Sequence, residues 1–562
     1  MLRNIAIVTA LIASTLAGSA SAGPPEIRLV LQLTVDQLRG DLPLRHADRF
    51  GKGGFRYLLD EGVWYTNAQY RHANTETIVG HTSLATGTIP AMHGMVGNVW
   101  LDRDEDALHY NVEDASYELL SEGAGIDRSS EIDPTQRVAT SQGRSPVSIV
   151  TSTFSDELAS HYGDGAKVFA VSVKDRGAIP LAGSAGKAFW FSKSAGEFVT
   201  STYYYDRYPE WVTAWNRQGK PGQYAGKSWD LLNPVETYRF GEHDDQPWET
   251  DFPGYGRVFP HPWGDASGKA FTTLLTVSPA GDELTLDFAK ALVLAEGLGQ
   301  DSVPDYLSIS FSSTDYVGHL FGASSLEMED NLLRLDQTLA ALFAFVDDTV
   351  GLKHTLIVLS ADHGGPEAPG YLASLGQDRH YVAAELVSPD RLNPLLEKKL
   401  GRRGRFVEAY YHPYLYLDRK AVATAKLSLA EAQQALAEIL QELPEVNAAI
   451  TAAAIEAGRL SGNPISRMVR ANHFPKRSGD VYVVFRPQEF INDFDGIVVA
   501  ATHGTPWRYD RFVPIVFAGN RIEARRVSRP VTPYDIAVTL SNRLSVTAPS
   551  GAIGEPLAEI AR

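Results

Sequence analysis

Short runs of consecutive apolar residues alternate along this chain with stretches whose apolar positions recur every three or four residues. Arg28 to Val35, Ala166 to Val173, Tyr306 to Phe311, Thr355 to Leu359, Ile497 to Ala500 and Phe512 to Phe517 are runs of the first kind. They lack the strict alternation of a half-exposed strand, so they predict strands buried on both faces of a parallel sheet. Between them, Ser324-Ser325-Leu326-Glu327 reads as a capping box opening a helix to about Asp348, with Leu332, Leu335, Leu339, Leu342 and Val346 on one face. Leu284 to about Leu298 and Thr532-Pro533 to Leu544 predict further helices, the latter with proline in its first turn. Alternation of strands and helices predicts an α/β fold with a mostly parallel sheet.

Two segments break the rhythm. Residues near 186–282 hold Trp190, Trp211, Trp215, Trp229, Trp248 and Trp263 with a Tyr203-Tyr204-Tyr205 run; residues near 383–495 carry a helical pattern from about Leu427 to Leu443 between short strand-like stretches. Both read as insertions over the C-terminal edge of the sheet. The aromatic one is read equally as a lid or as core packing.

Polar residues fall at telling places. Five predicted strands deliver Asp36, Lys174, Asp315, Asp362-His363 and His503 at or just past their C-terminal ends, the edge where open α/β sheets bind ligands. A single aspartate there is most often a helix cap or a turn residue, but five such placements on one edge point to a site. Asp315 and His319 are four apart and share a helical face. Glycines beside Asp362-His363 and His503 suit close backbone approach. Asp36, Asp315, His319, Asp362, His363 and His503 make six nitrogen and oxygen ligands, the stock for two zinc ions with three protein ligands each. Thr77, in Asn74-Thr75-Glu76-Thr77-Ile78-Val79-Gly80-His81-Thr82-Ser83, falls at a predicted helix N-terminus, where free N–H groups favour an anion; read alone, the segment favours Thr77 as a mere N-cap.

Composition narrows the partners. The 562 residues are 44% hydrophobic and 21% charged, ordinary globular usage, enough chain for several small domains or one or two large ones. Lys and Arg number 51 against 68 Asp and Glu, a net charge of −17. No nucleic-acid partner is expected of so acidic a chain, whereas a small phosphorylated substrate needs only a local cationic site. There is no cysteine, which excludes disulfides, thiol nucleophiles and thiolate metal sites. Met1-Leu2-Arg3-Asn4, the apolar Ile5 to Leu16 and Ala20-Ser21-Ala22 predict a signal peptide over residues 1–22. The mature chain, 23–562, is expected in the periplasm or outside the cell, without stable membrane insertion.

The combination resembles the alkaline phosphatase superfamily, and within it the PafA-type bacterial alkaline phosphatases. Val35-Asp36-Gln37-Leu38-Arg39, Thr77 to Ser83, Thr86-Gly87-Thr88 through His93-Gly94 to Gly97-Asn98, Val173 to Ala178, Thr314-Asp315 with His319, Ala361 to Gly364 and His503 to Pro506 match in order over nearly the whole mature chain. The resemblance implies a three-layer α/β/α fold. It implies one zinc held by Asp315, His319 and His503 and another by Asp36, Asp362 and His363 with Thr77 Oγ, and no catalytic magnesium. It makes Thr77 the nucleophile that forms a phosphothreonine, and Asn98, Lys174 and Arg176 the phosphate-binding group. His81 and His93 are expected to support the site without ligating; His72, His380, His412 and His473 are read as ordinary surface or packing residues. A dianionic monoester offers such a clamp three non-bridging oxygens, so a monomeric phosphomonoesterase acting on small phosphate monoesters is expected. Two rivals stay open: a phosphodiesterase on the same metals, and a non-catalytic exported phosphate- or metal-binding protein.

Overall fold

Nine strands form the central sheet of the computed structural model, which describes residues 26–561; the expected signal peptide lies outside the described residues. In chain order they are β1 (Leu29–Val35), β2 (Val63–Gln69), β3 (Val168–Ser172), β4 (Lys187–Ser192), β5 (Glu197–Val199), β6 (Asp305–Phe311), β7 (Thr355–Ser360), β8 (Phe512–Gly519) and β9 (Arg525–Val527). In space they run β9-β2-β8-β7-β1-β6-β3-β4-β5. The five strands from β7 to β4 are mutually parallel. Register then sets the functional edge: Thr34 of β1 is level with Ser310 of β6 and Ser360 of β7, and Ser310 with Ser172 of β3. The residues that follow these four strands therefore emerge side by side.

Six helices matter most here: α1 (Thr77–Thr86), α2 (Asp175–Ala182), α3 (Pro279–Glu296), α4 (Ser313–Phe321), α5 (Leu326–Thr349) and α6 (Asp535–Leu544). Leu29, Leu31, Leu33 and Val35 pack with Leu284, Phe288 and Leu292 of α3 and with Leu332, Leu335 and Leu339 of α5. Val30 faces the other way, with Phe154, Leu158 and the α6 residues Leu540 and Leu544. Both faces of the sheet are covered, as the three-layer expectation requires, and this is why the strand runs do not alternate. Each fully buried leucine contributes roughly 1.5–3 kcal/mol.

The structure departs from the sequence expectations at several points. Ile497–Val498 is no strand of the sheet but pairs with Asp493–Phe494 in a small hairpin, so His503 arrives on a loop. The Phe512 run does join the sheet, yet antiparallel to both β7 and β2. Strands β2, β4, β5 and β9 were not anticipated, and β4 and β5 occupy the opening of the segment read as an insertion from about 186. Three of its tryptophans pack on helices of the main body. Trp211 and Trp215 donate their indole N–H to Glu296 and Asp287 of α3, and Trp229 donates to Asp330 of α5. The capping box also resolves differently: Ser325 caps Met328 N, and Glu327 turns into the interior.

The segment from about 383 to 495 carries a separate four-stranded antiparallel sheet. Helices Pro389–Leu400 and Leu429–Gln441 close a small core on it. Among the described residues no helix is long and apolar enough to cross a membrane.

Candidate active site

Asp36 follows β1, Lys174 follows β3 and caps α2, Asp315 and His319 lie one turn apart on α4, and Asp362-His363 follow β7. His503 is drawn to them from its loop, its Nδ1 2.8 Å from the Thr75 carbonyl, while Ala500 N donates to the His319 carbonyl. Glycines let the elements close in: a Cβ on Gly80 would stand 2.0 Å from the Asp362 carbonyl oxygen, and one on Gly318 would stand 1.8 Å from Gln37 Oε1.

Lys174 Nζ, fully buried, donates to Asp36 Oδ2 at 2.8 Å and Asp315 Oδ2 at 2.5 Å. Burial pushes both carboxyls up and Asp315 adds to this at Asp36, yet Lys174 and the neighbouring histidines bring both below the usual range. The ammonium in turn is held above its ordinary value, because Asp315 and Asp36 outweigh its desolvation. Lys174 thus bridges two of the buried carboxyl groups, whereas Asp362, whose pKa is raised by burial and by Asp36, lies against His363 and His81.

The histidines show what else belongs there. Nδ1 of His319, His363 and His503 lies 2.8, 2.9 and 2.8 Å from the backbone carbonyls of Ala501, Gly364 and Thr75. A carbonyl only accepts, so each Nδ1 carries a proton and each Nε2 is left to take a metal or a second proton. Those Nε2 atoms face carboxylates: His363 lies 3.3 Å from Asp36 Oδ1 and 3.2 Å from Asp362 Oδ2, and His319 and His503 lie 3.4 and 3.3 Å from Asp315 Oδ1. Asp36 Oδ1, Asp362 Oδ2 and His363 Nε2 are buried without a hydrogen-bond partner. Lone pairs in such opposition repel unless a cation, proton or metal, lies between them. Burial lowers the His363 pKa, but Asp362 and Asp36 lift it to about 9; burial and then His363 push His503 down to about 3. The donor set fits divalent metal. Asp315, His319 and His503 converge within ligand range, as do Asp36, Asp315 and His363. Asp362, which the resemblance put with Asp36 and His363, has its Oδ2 3.2 Å from His363 Nε2.

Thr77 is the first residue of α1, and the N-cap is Glu76. The cap reading of Thr77 therefore falls away, and its side chain lines a cleft of about 560 Å³ together with Asn98, Arg176, Asp315, His319 and His503. Asn98 Oδ1 accepts from Ile78 N at 3.2 Å, and Asn98 N donates to Glu76 Oε2 at 3.0 Å. Arg176, on the first turn of α2, pairs with Asp133 at 2.6 Å. Lys174 is not part of the cleft wall; it sits beneath, between the carboxylates.

Several supporting residues escaped the sequence reading. Gln37, with a φ of 65°, donates its Nε2 to Asp315 Oδ1 at 2.9 Å and its backbone N to Asp362 Oδ1 at 3.2 Å, tying two strand ends together. Its only signal was its place after Asp36. His412, read as ordinary, lines the cleft and lies 3.0 Å from the Gly504 carbonyl. His81, which the sequence reading did name, has its Nδ1 2.9 Å from the Thr77 carbonyl and 3.1 Å from Asp362 Oδ2, and its Nε2 2.9 Å from Ser310 Oγ.

Comparison with known proteins agrees with this geometry. The model of the type I phosphodiesterase / nucleotide pyrophosphatase family matches residues 30–506. Alkaline phosphatase PafA of Elizabethkingia meningoseptica is 32% identical over 545 residues, 95% of each chain. Alkaline phosphatase PhoV of Synechococcus elongatus is 32% identical over 538 residues, 95% of this chain and 92% of that one. The crystal structure of wild-type PafA superposes with a TM-score of 0.87 at 31% identity, covering 96% of this chain and 99% of that one. The chain belongs to the type I phosphodiesterase / nucleotide pyrophosphatase family of the alkaline phosphatase superfamily.

Proposed function

We infer that the protein is an exported, zinc-dependent phosphomonoesterase that works through a phosphothreonine on Thr77. The observation that carries this reading is the unpaired convergence of Asp36 Oδ1, Asp362 Oδ2 and His363 Nε2 below a cleft lined by Thr77, Asn98 and Arg176. Asp315, His319 and His503 would hold one zinc; Asp36, Asp362 and His363, with Thr77, the other. Zinc there supplies positive charge that lowers the pKa of a nearby hydroxyl and stabilises charge on attacking and leaving oxygens. Thr77 Oγ attacks phosphorus in line, and the bond to the ester oxygen breaks. Water then cleaves the Oγ–phosphorus bond, releasing phosphate and restoring the hydroxyl.

Arg176 grips two non-bridging oxygens through its planar fork while Asn98 offers its amide protons to the same group. Lys174 acts from below as a fixed charge, and its place between Asp36 and Asp315 supports two metals and no catalytic magnesium. The family carries the diesterase name, so family alone does not choose between esters; the Arg176 and Lys174 charges favour the dianion of a monoester. The predicted signal peptide supports export.

The test is kcat/KM for p-nitrophenyl phosphate against bis-p-nitrophenyl phosphate with purified, zinc-loaded protein. A large monoester preference is expected, and a diester preference overturns the reading. Thr77→Ala is expected to abolish covalent phosphorylation and to lose more than the roughly 10²–10³-fold that one hydrogen-bond donor is worth.

A further inference from the structure

The phosphate site opens into a large cleft. Thr77, Asn98 and Arg176 are each exposed by 5% or less, and all three line the cleft. The organic group on a bound phosphate must extend along that cleft. At about 560 Å³ the cleft is far larger than a phosphate and within the range of small-molecule sites. Beside the polar residues of the phosphate site and Asp133, Thr135, Ser388, His412 and Asp493, its lining includes two apolar segments: Ile132, Pro134 and Val138, and Ile491 and Phe494 with Tyr411. Pro134, Val138, Tyr411, Ile491 and Phe494 are only partly buried, and contiguous apolar surface of this sort marks a binding face.

Phe494 is held at the reactive end by design of the backbone. The hairpin Asp493–Phe494 with Ile497–Val498 turns through Asp495 and Gly496, both at positive φ, 53° and 94°, a geometry suited to a two-residue hairpin loop. Arg137 ties its tip across the cleft: Nη1 lies 3.3 Å from Asp495 Oδ2, and Nη2 donates to the Phe494 carbonyl at 3.1 Å. The Phe494 ring then meets His319 edge-on, with centroids 5.0 Å apart. Exposed Asp493 adds negative charge to the same lining.

We propose that this chamber binds the organic part of the substrate, so that the protein selects monoesters of uncharged apolar alcohols and phenols, with Phe494 as a specificity-determining side chain. The inference rests on the phosphomonoesterase reading above. Apolar burial of an aryl group is favourable there, whereas a second anionic group meets exposed Asp493, and Arg176, the one lysine or arginine among the described lining residues, is already taken up by the phosphate.

Phosphonates test it without the complication of leaving-group reactivity, because their C–P bond stays intact. With zinc-loaded enzyme turning over p-nitrophenyl phosphate, 1-naphthylmethylphosphonate is expected to inhibit about tenfold or more tighter than methylphosphonate, and 2-carboxyethylphosphonate no tighter than methylphosphonate. Phe494→Ala and, in the opposite wall, Val138→Asp should each reduce the naphthylmethyl-to-methyl ratio by about fivefold or more. Equal inhibition constants for all three phosphonates in the wild-type protein overturn the proposal. So does a ratio that survives both substitutions. Absence of turnover with no phosphonate binding by calorimetry overturns the phosphomonoesterase reading itself, and the inference with it.

Discussion

Two buried groups of acids with a histidine lie in this molecule, and their electrostatics are opposite. At the sheet edge Asp36, Asp315 and Asp362 surround His363. Near the end of α4, Glu249 and Glu327 accompany His261, whose ring stacks on Tyr255 and lies 5.2 Å from that of Phe321, and every one of these residues is buried. Oxygens of both groups lack hydrogen-bond partners. In the first, Lys174 holds Asp36 and Asp315 ionised against the cost of burial. In the second, no lysine or arginine among the described residues forms an ion pair with either glutamate. Burial pushes both glutamates well up, and Glu327 pushes Glu249 further. Burial also lowers His261 to about 4, so a neutral ring stands 3.3 Å from Glu327 Oε1. Only the edge group brings three donors within metal-ligand range. Buried acids and a histidine do not make a metal site; a fixed cation that keeps the acids anionic helps to decide it.

Metal removal should separate the two groups most. A chelator is expected to abolish turnover and lower the melting temperature, with zinc restoring both; saturation at a hundredfold over Kd is worth about 2.7 kcal/mol. Full activity in protein shown by elemental analysis to be metal-free would sink the assignment of the edge group. Glu327→Gln should leave this response intact.

Lys174→Met makes the edge group resemble the other one. Removing one partner of a buried ion pair costs about 3–5 kcal/mol, so a lower melting temperature is expected, together with a drop in kcat/KM of about 10²-fold or more. Wild-type kcat/KM would mean that the ammonium only fills space.

Glu327→Gln is the gentlest change and reads the second group. A carboxyl whose pKa is raised on folding lends its stability in full below the unfolded value near 4.5, and that stability is lost as pH rises toward the folded value. Wild type should therefore lose stability relative to Glu327→Gln between pH 5 and pH 8, by up to about 1.4 kcal/mol per pH unit. Parallel melting-temperature profiles for the two proteins would show that Glu327 is ionised and paired after all.

Much of the edge group was legible because parallel strands make it local. An apolar run followed at once by Asp36, Lys174 or Asp362-His363 is visible without any partner strand, and Asp315 to His319 is one helical turn. His503 was legible as a residue but not as a strand end, since its position depends on Thr75, 428 residues away. Glu327 shows the reverse. Ser324-Ser325-Leu326-Glu327 satisfies a local capping pattern, yet the side chain turns inward because Ser325 already caps the helix. Gln37 carried no signal of its own, for its role is a bond to Asp315 and a positive φ that only the folded chain requires.

By itself, then, the order of apolar runs and the residues that end them determined an α/β protein with Asp36, Lys174, Asp315 and Asp362-His363 on one edge, because side-chain direction and strand polarity follow from local backbone geometry. The tertiary structure alone decided the antiparallel entry of β8, the capture of His503, the ion pairs that set each buried acid's charge, and the apolar chamber. The walls of that chamber, near residues 132–138 and 491–497, are far apart in the chain, and a surface made of two such segments exists only once packing has brought them together.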